Sequence, residues 1–108
     1  MLQYLEFMDK VHKMNEKLDL SHHEVRLLEL VAKAQHQDQT LFIGDLIGHR
    51  QIASQATLHG VVKGLIRKKL ISAKIHKSDG RNKVVSLTAS SQKRFEELQR
   101  SMSQAVTS

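Results

Sequence analysis

The 108-residue chain has no cysteine and no proline, and only 4% of its residues are aromatic. Without cysteine it can form no disulfide, no thiolate nucleophile and no thiolate metal site, which fits a reducing compartment. No uncharged apolar run approaches the ~20 residues that span a bilayer. Segment 1–20 mixes charged with apolar residues, so it lacks the apolar core of a signal peptide. We therefore expect a soluble, cytoplasmic protein.

The usual patterns of catalytic and metal sites are also missing. Ser, His and Asp are present, but no glycine-framed nucleophile or close pair of acids accompanies them, which argues against an enzyme. Among the seven histidines, His22 and His23 are adjacent and would point to different sides of a helix, and no H-x3-H or HExxH spacing occurs. We expect no cofactor and no metal, although distant histidines could still assemble a zinc site.

The positive charge of the chain lies in its second half. Residues 1–57 hold 6 Lys or Arg against 8 Asp or Glu, whereas residues 58–108 hold 11 against 3, so the halves carry −2 and +8. A field this one-sided favours a polyanionic partner such as nucleic acid. An anionic membrane surface is the weaker competitor, and a solvated basic surface is the plain alternative.

The first half of the chain predicts three helices. Apolar residues at helical spacing predict the first helix over 2–17. Ser21 and Glu24 are spaced as a capping box, so a second, mostly apolar helix should begin there and lie in the core. The apolar pair at 41–42 could add an edge strand, and the pattern over 43–49 predicts one short helix.

The second half predicts an amphipathic helix followed by a cationic β-hairpin. Over 54–68, apolar residues recur at helical spacing on one face and polar or basic residues lie on the other. Alternating residues within 71–87 predict two strands, and the Asp-Gly pair predicts a turn at 78–82. Thr88 can cap a last helix over 89–108. A winged helix-turn-helix uses this pairing to occupy a major groove and contact the adjacent backbone.

Two motifs resemble the MarR family of transcriptional regulators. SQATL at 54–58, with the apolar residues that follow, resembles the family's recognition helix. DGRNK at 79–83 with LT at 87–88 resembles its wing signature, D-x-R-x-K followed by L-T. The resemblance covers roughly 21–98. It implies a mainly α fold with a small β-hairpin wing (α+β), and a homodimeric regulator that binds double-stranded DNA at an operator.

This assignment gives the polar residues of the second half candidate roles. Gln55, Thr57 and His59 lie near the start of the helix and beside its apolar stripe, so they can face base edges; capping and solvent exposure are the alternatives. In the family a wing arginine enters a minor groove, steadied by an aspartate, and Arg81 and Asp79 match those positions. A solvated charge and a turn residue are the alternatives there. Candidates for backbone contacts are Lys63, Arg67, Lys68, Lys69, Lys74, Lys77, Arg81 and Lys83.

Three positions depart from the family pattern. Gly60 and Gly64 lie one turn apart inside the recognition helix, where each should cost about 1 kcal/mol against alanine. They could permit close approach of DNA or of another helix. Lys69 stands where a glycine often ends this helix, so the pattern leaves the exit geometry open.

The terminal helices carry apolar stripes beyond the needs of a minimal winged helix. The resemblance implies that 1–20 and 89–108 form a dimer interface around a core at 21–88, in a single winged helix domain; alternatively, both helices pack on their own domain. The chain is shorter at its C-terminal end than typical relatives, so an effector pocket could be reduced or absent.

Two rival functions remain open from the sequence. One is a winged helix protein-interaction module that uses the Gly60 and Gly64 face for a protein partner. The other is an architectural or replication-associated DNA binder without strong sequence preference. A small-molecule effector is compatible with the pattern but is not indicated by it.

Overall fold

A computed structural model describes residues 1–76 and 79–107, including the side chains of 1–75 and 83–106. Within these residues the chain has five helices and a two-stranded antiparallel sheet, which confirms the mainly α fold with a hairpin wing. None of the helices within these ranges is both long enough and apolar enough to cross a membrane. In chain order the elements are α1 (Leu2–Lys17), α2 (His22–His36), α3 (Ile43–Ile47), α4 (Gln55–Arg67), β1 (Ile71–His76), β2 (Asp79–Leu87) and α5 (Ala89–Thr107).

Reciprocal caps set the starts of α2 and α5. Ser21 Oγ accepts the Glu24 amide at 3.2 Å, and Glu24 Oε1 accepts the Ser21 amide at 2.9 Å, which confirms the predicted capping box. At α5 the Ser91 amide donates to Thr88 Oγ1 at 3.2 Å, and the Thr88 amide donates to Ser91 Oγ at 3.0 Å. These bonds satisfy amides that the first helical turn leaves without partners.

Three helices are followed by a non-glycine residue in the left-handed region. Asp19, Asp38 and Lys69 have φ values of 53°, 54° and 60°. After α4, the amides of Lys69 and Leu70 donate to carbonyls of the last turn at 2.9 and 3.0 Å, which are the two bonds of a Schellman motif. The exit of α4 therefore has the geometry that a glycine favours, although a lysine occupies it.

The hydrophobic core lies between α2, α3, α4 and the sheet. It consists of large aliphatic side chains, whose removal from water is the main favourable contribution to folding. Its buried members are Leu27, Leu28, Val31, Leu46, Leu58, Val62, Leu65, Leu70, Ile71 and Val85.

The hairpin differs from its prediction at the turn. The strands pair regularly until Ile75 lies opposite Lys83, and the register then shifts so that His76 pairs with Asp79. Asp79 therefore begins the second strand, and the predicted turn at 78–82 is wrong. The preference of the Asp-Gly pair for a turn depends only on two adjacent residues. Pairing between the two strands continues past that pair, and the additional residues of β2 form an irregularity in that strand.

The segment between α2 and α3 contributes less to the sheet than a strand would. Phe42 forms an isolated bridge with Val84, and the Val85 amide donates to the Leu41 carbonyl at 2.8 Å. The short helix that follows ends at Ile47, before the predicted end at 49. The expected edge strand is thus a single bridge beside the wing.

Helices α1 and α5 pack against each other at one side of the core. Arg94 is 6% exposed and donates to Asn15 Oδ1, and its guanidinium lies 5.0 Å from the centre of the Phe95 ring. Further along the pair, Lys10 Nζ donates to Ser101 Oγ at 2.6 Å. No residue of α1 is buried. We call α1 and α5 together the terminal pair.

Candidate nucleic-acid interface

Helix α4 presents one face to the core and the opposite face to solvent. Its apolar stripe is anchored by Leu58, Val62 and Leu65, which are all buried. The helix contains no acidic residue, and neither does β1, which follows it. The exposed residues of α4 are Gln55, Ala56, Thr57, His59, Gly60, Lys63, Ile66 and Arg67.

Ser54 caps the start of α4 and engages one of the base-reading candidates. Ser54 Oγ accepts the Thr57 amide at 3.3 Å and donates its own proton to Thr57 Oγ1 at 2.9 Å. The Thr57 hydroxyl is held by the cap but keeps its own proton for another acceptor. Gln55 and His59 are exposed and make no side-chain hydrogen bond within the part of the chain that the structure describes.

The two glycines of α4 have different surroundings. A Cβ atom at Gly60 would meet nothing within 4 Å, whereas a Cβ atom at Gly64 would lie 3.0 Å from Glu24 Oε2. Gly64 therefore allows α2 to pack closely against α4. Gly60 leaves a bare position on the solvent face of the helix, so the two glycines do not share one open surface.

Lys68 is bound inside the domain. Its ammonium lies 2.9 Å from Glu24 Oε1 and also donates to the Asp19 carbonyl. Burial alone raises the pKa of Glu24, but hydrogen bonds from the Ser21 amide and from Lys68 lower it more, so the net shift is downward. The ion pair joins the end of α4 to the start of α2. This ammonium belongs to internal packing, and we leave Lys68 out of the DNA contacts proposed below.

Exposed cations continue from α4 onto the wing. Lys69 follows the helix, Lys74 lies on β1 and Lys83 lies on β2, and all three side chains are exposed. Among the described side chains, none of them has a carboxylate within ion-pair distance. With Lys63 and Arg67 they make up what we call the basic surface.

Solved structures match this chain over nearly its whole length, whereas no family model and no curated protein matches it. S. aureus MepR in complex with DNA has a TM-score of 0.73 at 24% identity, over 95% of this chain and 76% of that one. A MepR mutant from the same organism, bound to an oligodeoxyribonucleotide, has a TM-score of 0.71 at 26% identity, over 99% and 82%. The transcriptional regulator PA4135 has a TM-score of 0.62 at 19% identity, over 98% and 75%.

MepR is a regulator of the MarR family. The chain has the MarR winged helix fold. Its short helix α3, helix α4 and hairpin follow one another in the order that the sequence predicted for a winged helix domain. The match extends through the terminal pair as well, since it covers at least 95% of the chain in the MepR structures compared above.

Three residues of the wing were predicted to take part in DNA contacts, but their side chains are outside the part of the chain that the structure describes. The backbones of Asp79 and Arg81 belong to β2, but their side chains are outside the described set. Lys77 lies outside the described residues altogether. The roles assigned to these three residues stay predictions.

A cavity of about 280 Å³ separates parts of the terminal pair from α2. Apolar side chains from α1, α2 and α5 line most of it, and Arg94 lies at its wall. Burial lowers the pKa of the Arg94 guanidinium, with Glu29 opposing the shift, and its Nε has no hydrogen-bond partner among the described residues. A small, open space therefore lies between the terminal helices and α2.

Proposed function

We propose that this chain binds double-stranded DNA as a homodimer and regulates transcription in the cytoplasm, without catalytic activity of its own. The observation that carries the proposal is the exposed, acid-free face of α4, continued by the lysines of the wing. A surface of this kind attracts the phosphate backbone over a distance and meets no like-charge repulsion on contact. The structure of MepR with DNA supports the same use of the fold.

In the proposed complex α4 lies in a major groove. The exposed side chains of Gln55 and His59 reach base edges, and Thr57 offers its hydroxyl from the cap. Lys63 and Arg67 bind phosphates, which set the position of the helix without reading sequence. Because Gly60 carries no side chain, the helix backbone can approach the groove closely at that turn.

The wing contacts the flanking backbone and minor groove. Lys74, Lys77 and Lys83 bind phosphates beside the hairpin. Lys69 binds a phosphate near the end of α4. Arg81 enters the minor groove, where the narrow walls focus negative potential, and Asp79 orients it. The support for Arg81 and Asp79 is their match to the family's wing signature, and the support for Lys77 is its place in the sequence among the lysines of the wing.

The terminal pair forms the dimer interface. Large apolar side chains lie exposed near the start of α1 and the end of α5, where water contact is unfavourable. A two-fold axis through this region would place two recognition helices about one DNA turn apart on a palindromic site. The exposed apolar side chains near the start of α1 and the end of α5, which we call the apolar edge, are those of Met1, Leu2, Tyr4, Leu5, Met102 and Val106.

Titrations of labelled duplexes at several salt concentrations test the proposal. For a regulator, a duplex selected from a random pool binds more tightly than a random one, and log K falls with log salt by about 0.9 per phosphate contact. Arg67→Ala should lower the slope by about one contact for every duplex, while Gln55→Ala should change the preference among duplexes. Lys33→Ala, an exposed lysine on α2, is the matched control and should change neither.

Two outcomes would replace the proposal. Absence of binding to any duplex at low salt would exclude DNA binding and favour a protein-interaction module. Equal, sequence-independent losses for Arg67→Ala and Gln55→Ala would favour an architectural DNA binder. Sedimentation of the free protein, which should show a dimer, tests the interface separately.

A further inference from the structure

One apolar side chain on the wing lies outside the core that its strand enters. Ile71 and Ile75 belong to the same alternating face of β1, yet Ile71 is 2% exposed and Ile75 is 62% exposed. The hairpin therefore projects past the core between these two residues. Its far end carries a large aliphatic side chain that no described element covers.

Cations flank Ile75 on both faces of the hairpin. Lys83 is directly opposite on β2, so its side chain emerges beside Ile75 on the same face. The exposed Lys74 precedes Ile75 in β1 and emerges on the opposite face. No acidic residue occurs in β1, and the one acidic residue of β2 is Asp79 at its start. A protein partner with an apolar face that covers Ile75 would have to bury the Lys83 charge unpaired, which is costly. DNA offers negatively charged phosphates to the lysines and an apolar deoxyribose surface to the isoleucine.

We propose that Ile75 contacts the minor groove floor or its deoxyribose walls when the wing binds DNA, and that it contributes to preference among flanking sequences. This inference rests on the DNA-binding function proposed above. Deoxyribose presents an apolar surface between phosphates, and aliphatic side chains of other minor-groove proteins press between base steps and open them. Flexible pyrimidine-purine steps such as TA deform most easily, so sites with such a step under the wing bind more tightly.

Ile75→Thr tests the contact, since threonine keeps the β-branched shape and the strand preference while replacing apolar surface with a hydroxyl. Its affinity for a selected duplex should fall by about tenfold, as loss of one aliphatic contact implies. The loss should be the same at every salt concentration. Lys74→Ala is the matched control on the adjacent residue: its loss should shrink as salt rises, and its salt slope should decrease by about one contact.

Competition between two duplexes that differ only in the flanking step separates this role from a structural one. The wild-type protein should prefer the duplex with TA over the one with AA, and Ile75→Thr should lose that preference. Ile75→Lys adds a charge at the same position; it should steepen the salt slope but also lose the preference. Thermal unfolding of the three proteins should be similar because the side chain is exposed.

The proposal is overturned if wild-type protein binds DNA while Ile75→Thr retains its affinity, salt slope and flanking preference. It is also overturned if Ile75→Lys binds more tightly at all salt concentrations and keeps the preference. If Ile75→Thr loses binding to phosphatidylserine vesicles but binds DNA as the wild-type protein does, Ile75 contacts a membrane surface instead. Wild-type protein that binds no duplex refutes the proposed function itself, which is a different result from these three.

Discussion

The winged helix core and the terminal pair are built from similar amphipathic helices but bury very different fractions of their apolar faces. In the core the stripes of α2 and α4 meet each other and the sheet, and Leu27, Leu58 and Leu65 are fully buried. In α1 no residue is buried, and Leu2 and Leu5 are 67% and 50% exposed. The difference shows that an amphipathic stripe predicts a helix without saying whether its partner lies in the same chain.

The forces that hold the two regions also differ. Apolar burial holds the core, whereas in the terminal pair partly exposed apolar side chains lie around an open space and polar contacts link the two helices. One of these contacts, between Lys10 and Glu97, spans 3.5 Å with both side chains well exposed, so it contributes little to stability. We infer that the core is complete in one chain and that the terminal pair needs a second copy to bury the apolar edge.

Replacing one leucine by alanine in each region should show the difference between the core and the terminal pair most clearly. Leu58→Ala should lower the free energy of unfolding by about 3 kcal/mol, since it opens a cavity in a packed core. Leu5→Ala should change the unfolding of the monomer far less but weaken the dimer. Urea unfolding at two protein concentrations, together with sedimentation, measures both effects. Equal destabilisation with unchanged association would contradict the division into two regions.

The buried and exposed ion pairs sharpen the same comparison. Glu24→Gln should cost about 2 kcal/mol because it leaves Lys68 without its charged partner and weakens the cap of α2. A fully buried pair would cost more, but the Lys68 side chain retains 29% of its exposure. Glu97→Gln in the terminal pair is the control, and its effect on unfolding should be close to zero. A Glu24→Gln variant as stable as the wild type would show that the pair is neutral.

The pH dependence of stability follows from the direction of the Glu24 shift. Because folding lowers its pKa from the ordinary value of 4.5, the stabilisation is present above that value and is lost as the pH falls through the lower folded-state pKa. Urea unfolding between pH 7 and pH 3 measures it. Glu24→Gln should flatten the acid side of this profile, and an unchanged profile would assign acid sensitivity to other groups.

The two glycines of α4 allow a smaller test on one helix, since Gly64 belongs to the packed interior and Gly60 faces the proposed partner. Gly60→Ala should raise stability by about 1 kcal/mol through helix propensity, because nothing lies within 4 Å of the new Cβ atom. It should nevertheless weaken DNA binding if the helix seats closely in the groove. Gly64→Ala should gain little or lose stability, because its Cβ atom would meet the Glu24 carboxylate at 3.0 Å.

The smallest effect is expected at the exit of α4. Lys69→Gly should raise the free energy of unfolding by about 0.5 kcal/mol, the left-handed strain it relieves being partly offset by greater freedom of the unfolded chain. Asp38→Gly is the control after α2 and should gain less, since aspartate tolerates this conformation better than lysine. Thermal unfolding of both variants measures the difference.

Local signals account for the parts of the structure that were predicted well. The capping box at Ser21 and the apolar spacing of α1 and α4 involve residues within one or two turns, so their meaning does not depend on distant segments. The predicted turn at 78–82 was wrong because the turn preference of the Asp-Gly pair competes with pairing between the two strands. The single bridge at Phe42 could not be foreseen, since two residues give no periodicity from which to judge a strand.

The sequence by itself determined the order of the elements, the identity of the apolar stripes and the location of positive charge in the second half. These follow from chain-local spacing and composition. Only the tertiary structure decided which of these residues remain available to a partner. It bound Lys68 to Glu24, covered Gly64 but not Gly60, and left Ile75 outside the core, because exposure depends on how segments distant in the chain pack together.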